Sequence, residues 1–375
     1  ATPQEPKCMN SRFFTFLIGF FVIFTACQSN RNAPLLPIAK DTRIVLIGNN
    51  LGSRMMDFGD FESQLYVQFP DSQLFIRNMC APGNTAGFRP HPSRNSPWAF
   101  EGAAQYNKAY ALNTGSEGHF PTEDEWITLL KPDVLVAFFG YNESFRGDEG
   151  LADFKAELAA FIAHSKAQRY KADDSTTLVL VSPIAFEDLS DRYDLPDGKV
   201  TNSNLAKYTQ AMDSVAKANQ VAFVDVYTPS KKWFEESKEP LTIDGSQLNS
   251  EGYVQFGEYL ATAIFGEGKN PATADEEQIK RAVIEKNWMW QHDFKMPNGV
   301  HAYGRRYNPF GPDNYPFEVQ KIRAMTAIRD TAIWAASAGK TMDLAKADAS
   351  TPKLPEVKTN YTSTEHGNAG DLYGQ

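Results

Sequence analysis

Five short apolar runs along the chain predict the strands of a central sheet. Each run is rich in Val, Ile, Leu or Phe, and its few polar residues do not alternate regularly with the apolar ones. Continuous runs of this length are typical of strands buried on both faces, as in parallel sheets. The predicted strands are Arg43–Ile47, Leu74–Arg77, Val134–Phe139, Thr177–Val181 and Ala222–Val226.

The segments between these runs carry an apolar stripe with the spacing of a helix. In the first of them Met55, Phe58, Phe61, Leu65 and Phe69 recur every three or four residues. Similar stripes occupy residues 151–166, 204–220 and 250–265. This alternation predicts an α/β protein of the three-layer α/β/α, flavodoxin-like class, with about five parallel strands covered by helices on both faces. In such sheets the functional site forms at the carboxyl ends of the strands.

The pattern of the chain changes after residue 266. A charged, tryptophan-containing helix is predicted at Ala274–Trp290, followed from His292 by an irregular tract rich in Pro, Gly and aromatic residues. A second helix is predicted from Phe317 to about Ala336. The polar end of the chain has few large apolar residues and is predicted to be disordered. The predicted divisions are therefore a main domain at 42–266, a helical and aromatic extension at 267–339 that packs on it, and a disordered tail at 340–375.

An apolar run near the N-terminus, Phe13 to Ala26, follows Arg12 and ends at Cys27. The run is shorter than a comfortable membrane span and has the form of a signal-peptide core. With the small residues before Cys27 it resembles a bacterial lipobox, which implies cleavage before Cys27 and lipidation of that residue. We therefore predict a lipoprotein signal peptide at 9–27, a linker at 28–41, and export to a bacterial membrane, on the periplasmic or the outer side. A plain secretory signal or a short anchor helix is the alternative.

Charge and cysteine content narrow the classes of function. The 375-residue chain has a formal net charge of −9, whereas a nucleic-acid-binding protein needs a basic surface to neutralise phosphates. If Cys27 is acylated and Cys8 is removed, Cys80 has no partner for a disulfide. No His, Cys and Asp residues have the spacing of metal ligands, and no glycine-rich phosphate motif is present. The sequence therefore predicts no metal, no cofactor and no nucleic-acid partner.

Four short blocks lie at or just after the predicted strand ends. They are Gly48–Asn50 in IGNNLGSRM, Gly83 in RNMCAPGNT, Gly140–Asn142 in FFGYNESF, and Asp244–Gln247 in DGSQLNSEGY. Their order and separations resemble the SGNH (GDSL) hydrolases, and the GYNES sequence is similar to a branch of secreted bacterial members. The resemblance implies an ester-hydrolase fold in which the Gly83 N–H and the Asn142 side chain form the oxyanion hole.

Two positions depart from the pattern of that family, and both are positions of catalytic chemistry. Asn50 stands where the resemblance places the nucleophilic serine, and Gln247 where it places the histidine base. An amide nitrogen has a delocalised lone pair and is not a nucleophile, and glutamine has no nitrogen that accepts a proton near neutral pH. Asp244 would orient the missing histidine and has lost that partner. Whether the protein is an enzyme is therefore left open.

Neighbouring polar residues are candidates for binding a ligand or for a relocated nucleophile. Ser53 and Ser144 each lie within a few residues of one of the blocks, and Asn49, Tyr141 and Ser246 lie inside them. A serine at any of the three positions could face the pocket. The alternative is that Ser53 and Ser144 support helix starts, as capping residues do.

Two longer segments could bring further side chains to the strand ends. A loop of about 40 residues after the second block contains His91 and His119 and could cover the site. The irregular C-terminal tract could supply a base or an anion clamp, or it could be a structural brace against the helices. Its candidate ligand-binding residues are His301, Tyr303, Arg305 and Arg306.

Three functions are compatible with these patterns. The first is a degenerate hydrolase, or pseudoenzyme, that binds a glycan or ester-like small molecule at the former active site. The second is an active acyl or carbohydrate esterase with a relocated nucleophile or base. The third is a cell-surface interaction subunit that binds a protein partner through the aromatic C-terminal tract. The two losses, at Asn50 and Gln247, favour the first function, and the third is compatible with it.

Overall fold

The structure is a computed structural model that describes most of the chain from residue 34 onward. Within the described ranges no helix is both long enough and apolar enough to cross a membrane. Cys27 and the predicted signal peptide lie outside these ranges, as do Arg305, Arg306 and the end of the predicted tail. The described residues are 34–107, 118–172, 175–269, 275–296, 299–304 and 307–357.

Five parallel strands form one sheet, namely β1 (Arg43–Gly48), β2 (Phe75–Asn78), β3 (Val134–Phe138), β4 (Thr177–Val181) and β5 (Ala222–Val224). Their order is β2-β1-β3-β4-β5. The prediction of about five parallel strands is confirmed. Because β1 lies between β2 and β3, the loops after these three strands meet at one edge of the sheet, where a parallel α/β sheet forms its binding crevice.

Both faces of the sheet are buried, which explains why the strands are mainly apolar. In β1, Ile44 and Leu46 point into the core on one face, whereas Val45 and Ile47 point into the core on the other. All four side chains are at most 1% exposed. A sheet of this kind needs helices on both faces.

The helices within the described residues are α1 (Asn50–Phe58), α2 (Asp60–Gln68), α3 (Glu123–Leu130), α4 (Tyr141–Ser144), α5 (Gly147–Ala167), α6 (Lys199–Ala218), α7 (Tyr227–Glu236), α8 (Ser250–Phe265), α9 (Glu276–Phe294), α10 (Gly299–Ala302), α11 (Tyr307–Ser337) and α12 (Leu344–Ala349). A single 3-10 turn, Ala103–Tyr106, lies in the long loop after β2. Side chains of α2, α8 and α9 pack in the core on one face, and those of α3, α5 and α6 pack in the core on the other. The predicted α/β/α class and the helical C-terminal region are thereby confirmed.

The first predicted helix is in fact two helices. α1 and α2 meet at Gly59, whose φ of +74° is a left-handed conformation that ends α1. The Gly59 N–H donates to the Met55 carbonyl (3.0 Å), as at a helix C-terminus. The apolar stripe continues across this break, so periodicity alone predicted one helix.

The C-terminal region is more helical than predicted. α11 begins at Tyr307 rather than at Phe317, and α10 precedes it. Prolines suggested an irregular chain here. Pro309 lies in the first turn of α11, where a backbone N–H has no helical partner to lose, whereas Pro312 and Pro316 lie farther inside the helix. The prediction of disorder from residue 340 is wrong for α12, whose Asp348 pairs with Arg329 of α11 (2.9 Å).

The C-terminal helices cover the outer edge of the sheet at β2. Arg77 of β2 forms a bidentate ion pair with Asp330 of α11, with N–O distances of 2.9 and 2.6 Å. The indole N–H groups of Trp290 and Trp334 donate to main-chain carbonyls at the two ends of β2 (2.7 and 3.0 Å). An open strand edge would offer unpaired main-chain groups to another chain, and α9 and α11 prevent this at β2.

Candidate functional site

The turn after β1, where the resemblance places the nucleophile, depends on a glycine. Gly48 has a φ of +124°, and a Cβ there would lie 2.2 Å from the Phe138 carbonyl oxygen of β3. The Asn49 N–H donates to the same oxygen (3.0 Å). The Asn49 side chain is 2% exposed and accepts from the Leu51 N–H as the N-cap of α1. Asn49 therefore has a structural role, and it sets the position of Asn50 at the start of α1.

Asn50, Gln247 and Asp244 form one chain of hydrogen bonds, which we term the amide relay. Asn50 Nδ2 donates to Gln247 Oε1 (3.2 Å), and Gln247 Nε2 donates to Asp244 Oδ2 (2.7 Å). Because a carboxylate only accepts hydrogen bonds, Asp244 fixes the orientation of the glutamine amide, which in turn fixes that of the asparagine amide. A serine–histidine–aspartate triad has the same direction, from hydroxyl to imidazole to carboxylate. The relay keeps this direction without a nucleophile or a base.

Asp244 is held as a carboxylate by its own loop. Its Oδ1 accepts from the N–H groups of Ser246 and Gln247 (2.9 and 2.8 Å) and from the Ser246 hydroxyl (3.0 Å). Burial opposes ionisation, but these hydrogen bonds and the one from the Gln247 side chain outweigh it and lower the pKa of Asp244. A main-chain bond from the Ile243 N–H to the Gln247 carbonyl (2.9 Å) closes the loop. The position of Asp244 therefore does not require a histidine.

Gly83 and Asn142, the predicted oxyanion donors, are connected through Asn84. Gly83 is exposed and has a φ of +80°, and its N–H donates to no group within the described part of the chain. Asn142 Nδ2 donates to the Asn84 carbonyl (2.8 Å). One amide hydrogen of Asn142 thus holds the loop that carries Gly83, and the second is left for another acceptor.

A buried glutamate in the GYNES block, not selected from the sequence, fastens the same loop. Glu143 accepts from the Gly140 N–H at Oε2 (2.8 Å) and from the Ala86 N–H at Oε1 (3.3 Å), and Glu157 of α5 accepts from the Gly87 N–H (2.8 Å). Burial raises the pKa of Glu143 to about 8, with a further contribution from the Glu157 carboxylate. A glutamate three residues after a helix N-cap is the sequence signal that could have identified this role. Part of the GYNES block therefore positions the loop after β2.

The space beside the amide relay is small. A cavity of about 30 Å³ lies next to Asn50 and Gln247, and Tyr141 and Ser246 also line it. This volume suits one or two water molecules but no sugar ring. Gly83 and Asn142 do not line it, so the structure does not gather all four predicted positions around one pocket.

A larger cleft of about 490 Å³ adjoins the loop of Gly83, and we term it the loop cleft. Pro82 and Asn84 line it, as do residues 89–94, Glu123 of α3 and the end of α9. His91 of the long loop lies in its wall and stacks on Phe120, with ring centroids 3.6 Å apart. Burial lowers the pKa of His91 to about 4, so the imidazole is neutral near pH 7.

Ser53 pairs with a residue that no sequence pattern indicated. Lys295 Nζ, just after α9, donates to Ser53 Oγ (2.7 Å), and Lys295 also lines the loop cleft. Ser53 lies inside α1 and is not its cap, so the capping interpretation is wrong for this residue. Burial lowers the pKa of Lys295. The C-terminal extension thus brings a basic side chain to the region of the strand ends, although not one of the predicted residues.

The remaining candidates have structural contacts or lie outside the described residues. Ser144 Oγ donates to the Tyr141 carbonyl within α4 (2.7 Å). Tyr303 packs on Phe120 and Tyr315, with ring centroids 5.2 and 4.9 Å apart, and lines neither cavity. No group of three or more His, Cys, Asp or Glu among the described residues could hold a metal ion. Outside the described part lie the side chain of His301 and the whole of Arg305 and Arg306.

Together these features define the class of fold. Asn50 follows β1, donors of the oxyanion type follow β2 and β3, and an Asp-x-x-Gln loop precedes α8. These features lie at the edge of a parallel sheet with the strand order β2-β1-β3-β4-β5. The fold of the protein is therefore like that of an SGNH/GDSL hydrolase.

The chain is similar to several solved structures at low sequence identity. An acetylxylan esterase from Geobacillus stearothermophilus matches with a TM-score of 0.40 and 14% identity, over 61% of this chain and 96% of the esterase. A GDSL-like lipase from Parabacteroides merdae matches with a TM-score of 0.42 and 14% identity, over 62% and 100%. A gut microbial diltiazem-metabolizing enzyme matches with a TM-score of 0.43 and 16% identity, over 62% of this chain and 48% of the enzyme. Neither a protein-family model nor a curated protein matches the chain.

Proposed function

We propose that this protein is an exported, lipid-anchored pseudo-hydrolase that binds a glycan or ester-like ligand and does not cleave it. The amide relay is the observation that carries the proposal. Asn50, Gln247 and Asp244 keep the hydrogen-bond direction of a catalytic triad, with donor–acceptor distances of 3.2 and 2.7 Å. The side-chain amides of Asn50 and Gln247 can neither attack a carbonyl carbon nor accept a proton near neutral pH.

The rest of the site supports binding more than catalysis. The loop that carries Gly83 is fastened by Asn142, Glu143 and Glu157, so its exposed N–H is held in place. A fixed N–H donor suits an acceptor oxygen of a ligand as well as a developing oxyanion. Without triad members, such a site retains only about 10³- to 10⁴-fold acceleration over water, which is far below that of a dedicated esterase.

The wild-type protein should release 4-nitrophenol from 4-nitrophenyl acetate or butyrate without a burst phase. Because Asn50 presents no nucleophile, no acyl-enzyme should form. Any steady-state rate of hydrolysis should stay within the residual acceleration of about 10³- to 10⁴-fold over water. Stopped-flow absorbance and intact-protein mass spectrometry measure the burst and the acyl adduct. Saturable binding in a panel of immobilised glycans should accompany this inertness, and a chain that binds none of them would contradict the proposal.

One contact supports an active esterase as a second candidate. Ser53 Oγ and Lys295 Nζ lie 2.7 Å apart, within the reach of a nucleophile and its general base, and burial lowers the pKa of the lysine. In that reaction Ser53 would attack the acyl carbonyl, Lys295 would accept the hydroxyl proton, and the departing alcohol would take that proton. Ser53 is only 6% exposed, which counts against it because an ester must reach Oγ. A burst that is lost in Ser53→Ala and in Lys295→Met but retained in Asn50→Ala would establish this candidate.

An interaction subunit has less support. Tyr303 and Tyr315 of the aromatic tract pack against each other, and Trp290 bonds to the carbonyl of the last residue of β2. These side chains are occupied in the fold of the extension and do not form an open face.

The lipid anchor rests on Cys27 and is tested separately. The full chain, expressed in a bacterium that processes lipoproteins, should fractionate with membranes and incorporate a fatty-acid label. Cys27→Ser should abolish labelling, because its hydroxyl cannot replace the thiol that receives the lipid. Cys8→Ser is the matched control and should label normally, since Cys8 precedes the predicted cleavage site. Equal labelling of both variants would contradict an anchor at Cys27.

A further inference from the structure

We propose that the loop cleft binds a saccharide that carries a carboxylate, with Lys295 pairing with the carboxylate and with Asn84 and Glu123 accepting hydrogen bonds from sugar hydroxyls. The inference rests on the proposed binding function and specifies its location and its ligand class. It moves the ligand from the former catalytic position to the neighbouring cleft, which Pro82 and Asn84 of the Gly83 loop line.

The sizes of the two cavities favour this location. The loop cleft has a volume of about 490 Å³, within the range of roughly 300–1,000 Å³ that is usual for small-molecule sites. The cavity beside the amide relay has only about 30 Å³. A sugar ring therefore fits beside the loop of Gly83, but not against Asn50.

The charges of the cleft favour an anion. Lys295, Arg89 and Arg94 line it, whereas Glu123 is the carboxylate among its described lining residues. Glu123 lies 3.1 Å from a guanidinium nitrogen of Arg94 and 3.7 Å from one of Arg89, so its charge is shared by the two arginines. Lys295 donates to the neutral hydroxyl of Ser53 and forms no ion pair within the described part of the chain. In a chain of net charge −9, this local excess of positive charge marks the cleft as a site for a negative group.

Two buried acceptors favour a ligand that has hydroxyl groups as well as a charge. Asn84 is 3% exposed and Glu123 is 5% exposed, yet Asn84 Oδ1 and Glu123 Oε2 accept no hydrogen bond from any described residue. A buried acceptor without a donor carries a free-energy cost that a bound hydroxyl group would remove. A simple anion such as sulfate has no hydrogen-bond donor to offer these two oxygens, whereas a sugar acid offers several hydroxyl donors.

The walls of the cleft suit the apolar faces of a sugar ring. Pro82, Pro90 and Pro92 contribute apolar surface and have no N–H to leave unpaired. The fixed φ of proline also limits the conformational entropy that the loops lose when a ligand binds. Phe294 adds an aromatic surface next to Lys295.

Titration calorimetry of the full chain tests the proposal with oligogalacturonates and glucuronate-containing disaccharides, each beside its carboxyl-reduced, neutral form. We expect the acidic form to bind at least tenfold more tightly than the neutral one. Lys295→Met should remove that preference and leave the affinity for the neutral form within twofold. Asn84→Leu should weaken the binding of both forms, because it removes an acceptor for a sugar hydroxyl group and does not change the charge of the cleft. Lys346→Met, at an exposed lysine of α12, is the matched control and should behave as the wild type.

The possible results separate this inference from the proposed function. Equal affinities of the wild type for acidic and neutral forms would overturn the inference while leaving glycan binding intact. An acidic preference that persists in a folded Lys295→Met variant would overturn the role of this residue. Binding of inorganic phosphate without any saccharide would identify a simple anion site and overturn the saccharide assignment. If none of these saccharides binds, the inference fails, and the glycan panel then decides whether the glycan-binding part of the proposed function fails with it. The wild-type comparison decides the ligand class even if a variant does not fold.

Discussion

Replacing Lys286 by methionine should lower the free energy of unfolding by about 3–5 kcal/mol. Lys286 of α9 is completely buried, and its Nζ donates to Glu62 Oε2 of α2 (2.6 Å) and to the Ile76 carbonyl of β2 (3.0 Å). Its removal leaves Glu62, which is 2% exposed, without a counter-ion in a medium of low dielectric constant. Urea denaturation followed by tryptophan fluorescence measures the loss.

Two further variants make this prediction specific for the buried pair. Glu62→Leu combined with Lys286→Met removes both charges and should recover most of the lost stability, because a buried pair can often be replaced by apolar groups of similar volume. Arg281→Ala, at an exposed arginine of the same helix that pairs with Glu277, should change stability by less than about 0.5 kcal/mol. If Lys286→Met has as small an effect as Arg281→Ala, α9 does not belong to the cooperative unit of the fold.

The architecture was predictable because a strand that is buried on both faces needs consecutive apolar residues, and such runs are visible in the sequence. Residues such as Val134 and Leu135 must both be apolar when successive side chains enter two different cores. The same logic fails wherever one residue interrupts a pattern that its neighbours continue. Gly59 divides a continuous apolar stripe into α1 and α2. The prolines after His292 argued against a helix there, but α11 begins at Tyr307 and packs against α9.

The candidate site was predictable only in part, for a similar reason. Asn50 and Gln247 could be located because each lies in a recognisable block, and their hydrogen bond joins residues that are 197 positions apart. The contact of Ser53 with Lys295, 242 positions apart, has no such marker. It depends on where α9 ends, and hence on how the extension packs at β2. A lone lysine after an aromatic helix carries no periodicity or spacing that would select it.

Substituting Asn50→Ser together with Gln247→His should create an esterase. The relay already has the direction of a triad, so a histidine at residue 247 would donate to Asp244 and accept from a serine hydroxyl at residue 50. General acid–base catalysis contributes about 10²–10⁴-fold, and we therefore expect kcat/KM for 4-nitrophenyl acetate to rise at least about 100-fold over the wild type. Acetyl esters suit the test because the adjoining cavity has only about 30 Å³. A burst of nitrophenol, absent from the wild type, should accompany the gain.

The control variants decide whether such a gain comes from a restored triad. Each single substitution should give little gain in esterase activity, because the nucleophile and the base act as a unit. Adding Asp244→Asn to the double variant should remove most of the gain, since the histidine would then lose the carboxylate that fixes its tautomer. Adding Ser53→Ala should leave the gain unchanged, because the Ser53 hydroxyl accepts a hydrogen bond from Lys295 and shares none with the relay among the described residues. A double variant that unfolds like the wild type but shows no burst would mean that Gly83 and Asn142, which do not line the cavity beside Asn50, cannot stabilise an oxyanion formed at residue 50. The amide relay would then be a local likeness to a triad, in a protein whose ligand binds elsewhere.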